Sequence, residues 1–128
     1  MARGLVTRAV QFEEIDAHHT TYINNGTLTT SHLGMAVVLV ANKTVGLGWD
    51  GGRVKGILKV VESDSKVVVQ DEGFKEDVPY SSVPAVGDRI VSNGAGKVKP
   101  VASSGVIGDH EVVSVDTTAE TCILKLHG

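Results

Sequence analysis

The chain holds one cysteine, Cys122, so no intramolecular disulfide can staple it and its stability has to come from burial and association. That usage fits synthesis in a reducing cytosol. Aromatic side chains make up only 4% of the sequence and comprise Phe12, Tyr22, Trp49, Phe74 and Tyr80. The formal net charge is −3 and the lysines are scattered singly. There is accordingly no basic patch with interleaved aromatics, which argues against a nucleic-acid partner. No apolar run approaches the roughly 20 residues of a transmembrane helix. The first ten residues also lack the apolar core of a secretory signal. Without such a route, the sequons at Asn25 and Asn42 carry no meaning.

What the chain does have is valine and glycine, the latter 15 times in 128 residues. Valine-rich, aromatic-poor sequence favours short strands over long helices. A chain of this length is expected to form one main folded unit that buries about two-thirds of its unfolded surface. Its texture divides in two, an extended N-terminal arm over 1–33 and a β domain over 34–128.

In the arm, apolar residues are too sparse to build a core alone. Residues 10–17 offer one weak amphipathic turn, and 20–29 suggest a small hairpin about Asn25-Gly26. An isolated hairpin is marginal in water, so the arm is expected to order against another chain by adding a strand to an exposed sheet edge. The candidate anchors are Phe12, Ile15, Tyr22, Ile23 and Leu28. On this reading, deleting residues 2–30 leaves a folded domain that no longer binds its partner.

In the β domain, 35–40 is a continuous apolar run, as in a strand buried on both faces. Residues 53–60 alternate, with Val54, Leu58 and Val60 on one face and Arg53, Lys55 and Lys59 on the other. A loop over 62–65 leads into a central strand from Lys66, and Asp71-Glu72-Gly73 and Pro79 bracket a short edge strand over 74–78. Asn93-Gly94-Ala95-Gly96 is a hairpin signal, because asparagine and glycine tolerate the positive φ that tight turns need. The last strand carries Cys122, Leu124 and Leu126 in phase. Eight to ten short strands imply an all-β fold, a small β-barrel or β-sandwich.

Candidate chemistry is thin. His18 and His19 are adjacent and so point to opposite faces of an extended chain. With His32, His110 and His127 they lack metal-ligand spacing and read as solvent-exposed. Cys122 in phase with Leu124 and Leu126 reads as a buried, inert thiol. Asp88 follows Gly87, where a carboxylate caps backbone N–H groups. The glycines around Trp49 lack the strand-to-helix context and the lysine of a phosphate loop. No Gly-x-Ser-x-Gly elbow occurs. No catalytic residue, metal ligand or cofactor is assigned, and no enzymatic activity is expected. Trp49, lone in a glycine-dense loop, is either a core plug or an interface anchor.

The turn order of the last third is the most specific signal. It runs Val86-Gly87-Asp88-Arg89-Ile90, Asn93-Gly94-Ala95-Gly96-Lys97-Val98, Gly105-Val106-Ile107-Gly108, Val112-Val113-Ser114-Val115-Asp116 and Thr121-Cys122-Ile123-Leu124-Lys125-Leu126. This order resembles the tailed-phage head decoration, or capsid cement, proteins, clearly over the last third and by general pattern from residue 34. The resemblance implies a small all-β protein on the outer surface of the virion capsid. It would bind the major capsid protein and copies of itself, commonly as a homotrimer, and stabilise the expanded head. The matching motifs lie away from Trp49 and the arm anchors, which rest on the physical reading alone. Two alternatives remain open: a tail or fibre subunit of the same texture, and a small enzyme or carrier of intein-like or lipoyl-like fold.

Overall fold

The computed structural model describes residues 17–101 and 110–127. They form nine strands: β1 (His18–Asn24), β2 (Ala36–Ala41), β3 (Thr44–Gly46), β4 (Val54–Val61), β5 (Lys66–Pro79), β6 (Arg89–Ser92), β7 (Val98–Pro100), β8 (His110–Asp116) and β9 (Thr121–Leu126). A single 3-10 turn, Thr30–His32, joins β1 to β2, and no α-helix occurs among the described residues. The fold is all-β.

The sheet order is β1-β3-β2-β4-β5-β9-β8-β6-β7, and β1 also pairs with β5. That extra pairing closes the first five strands into a small barrel, which removes the open edges of β1 and β5. Leu28, Val37, Val45, Leu58, Val67 and Val69 fill it, with Tyr22, Leu47 and Val61 packed against them. A second layer runs from the C-terminal half of β5 through β9, β8, β6 and β7, then returns to β5 by a bridge between Tyr80 and Val98. Its core includes Val78, Ile90, Val112, Cys122, Leu124 and Leu126, and Ala36, Val54 and Ile57 complete it from β2 and β4.

β5 is what joins the two layers. It pairs with β4 up to Gln70 and with β1 up to Glu72, then with β9 from Gly73 onward. The expected break at Asp71-Glu72-Gly73, with a separate edge strand after it, is absent. Gly73 sits at φ 96°, so the strand bends and changes partner without ending.

The N-terminal expectation needs correcting for its described part. His18–Ile23 pair antiparallel with β5, and Ile23 and Asn24 pair parallel with β3 of the same chain. Asn25-Gly26 makes no hairpin. The Asn24 side-chain carbonyl accepts the N–H groups of Gly26 at 2.9 Å and Leu28 at 3.1 Å, while its amide donates to Leu28 O at 2.9 Å. That Asx turn drops Leu28 into the barrel, where it is 3% exposed. The boundary expected at residue 34 therefore falls inside one sheet.

Bulges also reset the alternation of β4. The register shifts between Val37 and Val38 on the partner strand, and again between Leu58 and Val60. Ile57 thereby joins Val54 in the second core, Leu58 faces the barrel, and Val60 is turned out at 44% exposure. The run in β2 is buried only over Ala36, Val37 and Val38, and Leu39 and Val40 reach the surface.

Local turns follow expectation. Glu62–Ser65 closes β4 onto β5, with Glu62 N–H bonded to Lys66 O at 2.9 Å. Gly94 and Gly96 adopt φ 87° and 93° in the β6–β7 hairpin, and Asn93 Oδ1 accepts from the N–H groups of Ala95 and Lys97 at 2.8 and 3.0 Å.

Candidate functional site

Cys122, opposite Val78 on β5 and Val115 on β8, is buried in the second core, and burial pushes its thiol pKa up to about 11. It is inert in that state. Asp88 accepts an N–H bond at 2.8 Å, as expected of a turn carboxylate, although the donor is the preceding Ala85. His110 corrects the expectation of exposed histidines, for it is buried. Its Nε2 lies 2.8 Å from Val54 O, which can only accept, and its Nδ1 lies 3.0 Å from His127 N–H, which can only donate. The ring is therefore the neutral, Nε2-protonated tautomer, and it ties the end of β9 to the start of β4. Among the described residues no group of three or more His, Cys, Asp or Glu side chains is placed to hold a metal ion.

His18 serves a similar tie at the start of β1. Its Nδ1 lies 2.9 Å from Asp71 Oδ1, and Thr20 Oγ1 donates to Asp71 Oδ2 at 2.7 Å. The hydrogen bond and charge of Asp71 raise the His18 pKa. Burial works to raise that of Asp71, but the bonds from His18 and Thr20, together with the His18 charge, outweigh it and hold the carboxyl below its ordinary range.

The surface feature that stands apart is the loop over 47–53, between β3 and β4. Gly48 sits at φ 74°, and a Cβ there would lie 2.6 Å from Val38 Cβ, so only glycine passes this point unstrained. The loop is then stapled to the β6–β7 hairpin. Gly51 N–H donates to Ser92 O and Ser92 N–H to Gly52 O, both at 2.8 Å. Gly94 N–H donates to Ser92 Oγ at 2.9 Å, and Lys99 Nζ reaches Asp50 Oδ1 at 2.6 Å. On this fixed loop Trp49 is 57% exposed. A large aromatic held out on a braced loop loses little further freedom when a partner covers it.

Beside Trp49 lies a groove of about 380 Å³ lined by Val38, Leu39, Arg53, Val54, Lys55, His110 and His127. Val38 and Val54 give it an apolar floor and Leu39 an exposed apolar rim. Arg53 and Lys55 bring two positive charges, and among the described residues no carboxylate lines it. Such a site can bury an apolar side chain while pairing nearby anions.

Of the six sequence candidates, the groove takes in only Trp49. Tyr22 and Leu28 belong to the barrel core. Ile23 points outward from β1 at 45% exposure and does not line the groove. Phe12 and Ile15, like most of the expected helical turn, lie outside the described residues. Arg53 and Lys55 were legible as an outward-facing pair, but their grouping with Leu39 and His127 depends on strands far apart in sequence. Val83 and Val86, flanking Pro84, form a second exposed apolar point. No protein-family model matches this chain, and no curated protein matches it either.

Proposed function

We propose that this protein binds the outer surface of a tailed-phage capsid and stabilises the expanded head, as a decoration or cement protein. The observation that carries the reading is Trp49, braced and exposed on a small all-β unit whose C-terminal turn order resembles that family. The work required is association without chemistry. A ligand that binds the assembled, expanded shell and not the loosened one stabilises it by mass action. Trp49, Leu39 and the cationic groove wall supply the contact, since buried aromatic anchors dominate interface energies. The partners on this reading are the major capsid protein and further copies of the chain, arranged as a trimer, so that weak contacts sum through effective concentration.

The test is the thermal stability of heads. Undecorated expanded heads, mixed with the purified protein, should rupture at a higher temperature than heads alone, with an effect that saturates. Heads unaffected at saturating protein would reject the reading and favour a tail or fibre subunit.

A further inference from the structure

Among the five histidines only His110 is buried, and it lies against the groove beside Trp49. Its ring joins two lining residues that are far apart in sequence. Nε2–H donates to Val54 O at 2.8 Å, and Nδ1 accepts from His127 N–H at 3.0 Å. Val54 and His127 both line the groove. Only the neutral ring can make both bonds, because an imidazolium carries two N–H donors and no acceptor. We infer that His110 is a proton-operated latch on the Trp49 groove: protonation at Nδ1 sets donor against donor, releases His127 N–H and frees that wall of the groove.

Nδ1 is the one ring atom open to a proton, and it is the atom that holds His127. A charge on a ring only 2% exposed lacks solvation, so the proton stays only where the latch has opened and water reaches the ring. The described groups beside the ring come from three elements. Arg53 precedes β4, Lys55 lies on it and His127 follows β9. β6 offers Ile90, the Cα partner of His110. Glu111, next along β8, alternates to the other face, opposite Arg89 and Lys125. The latch depends on the two ring bonds and not on these charges. Its closed state binds no proton at Nδ1 and its open state binds one. Closure is therefore full above the ordinary imidazole value of about 6.5 and is lost as pH falls below it. Release can stay local, because His127 lies just past the last paired residue of β9, Leu126 opposite Gly73.

The inference rests on the reading of the Trp49 groove as a docking surface, and it adds the regulation of that surface. A partner seated against Trp49 is held at neutral pH and let go in acid.

Trp49 is the chain's single tryptophan, so its fluorescence reports on the groove alone. The measurement is its emission and acrylamide quenching in the purified full chain, without heads, as pH is lowered from about 8 to about 5. The wild type should show a reversible shift in emission and a rise in quenching, while far-ultraviolet circular dichroism holds. His110→Gln keeps an N–H donor and a carbonyl acceptor but cannot titrate, and it should lack both changes. NMR of the wild type reads the latch itself and needs no variant: the His127 amide resonance should move with the same midpoint as the tryptophan signal. An unmoved tryptophan signal, or the same shift in His110→Gln, would overturn the inference, as would a His127 amide that stays in place across the transition. Loss of dichroism together with the fluorescence change would replace local release by global unfolding and overturn it too. None of these results depends on capsid binding, so a failure here leaves the proposed function standing.

Discussion

Replacing Leu28 by alanine separates a strand-and-turn segment built into the barrel from one that serves as a free arm. Leu28 is 3% exposed and contacts a core that includes Val37, Val45 and Leu58. Its loss removes buried methyl and methylene groups and leaves a cavity. Such truncations cost about 2–5 kcal/mol, a large share of the roughly 5–15 kcal/mol that stabilises a typical domain. For a chain of this size the expected fall in Tm is about 10 °C or more. Ile23→Ala is the internal control, because Ile23 projects outward from the same segment at 45% exposure. Surface substitutions of that kind stay within about 1 kcal/mol. The assay is urea denaturation of the two variants followed by circular dichroism, with the midpoint and slope fitted together. Two equal, small shifts would refute the placement of 18–28 in the barrel and restore the arm. For the same reason, a deletion of 2–30 should unfold the domain, whereas one of 2–16 should leave every described strand in place.

Other consequences follow from local geometry. Gly48→Ala forces a side chain to φ 74° and within 2.6 Å of Val38 Cβ; it should cost about 1–3 kcal/mol and alter Trp49 emission, and an unchanged spectrum and Tm would contradict the bracing of the loop. The His18–Asp71 tie should depend on pH in a defined window. The raised pKa of His18 means that its contribution is full below its ordinary value of 6.5 and is lost as pH rises through the raised value. The lowered pKa of Asp71 means that its contribution is full above 3.8 and is lost as pH falls. The Tm difference between wild type and His18→Ala should then be larger at about pH 5 than at about pH 9, and a difference that grows with pH would contradict the tie. Cys122, with its thiol pushed up to about 11, should resist a thiol reagent in the native state and react at once in denaturant; rapid native labelling would place it outside the core.

Legibility in the sequence followed distance along the chain. The β6–β7 hairpin was readable because Asn93, Gly94 and Gly96 both specify and satisfy it within four residues. The inward phase of Cys122, Leu124 and Leu126 was readable because β9 carries no bulge of its own between them. β1 was misread as an arm because its partner, β5, lies about fifty positions away, and neither strand signals the other. The bulges in β4 escaped for a different reason: period-2 counting assumes an unbroken ladder, and the extra residue is decided by the partner strand. His110 looked like a surface histidine because what satisfies it is backbone, Val54 O and His127 N–H, and backbone leaves no trace in composition. The groove was half readable. Trp49 stood out as the lone tryptophan and Arg53 and Lys55 as an outward pair, but only the pairing of β2 with β4 brings Leu39 to meet them.

The claim at the centre of this account is that the Trp49 face holds the protein on a capsid. Co-sedimentation of wild type and Trp49→Ala with undecorated expanded heads tests it most directly. Saturable binding by the wild type, weakened by roughly thirtyfold or more in the variant as befits a hot spot worth about 2 kcal/mol, is the predicted result. A wild type that ignores heads, or a variant that binds them equally well, would contradict it.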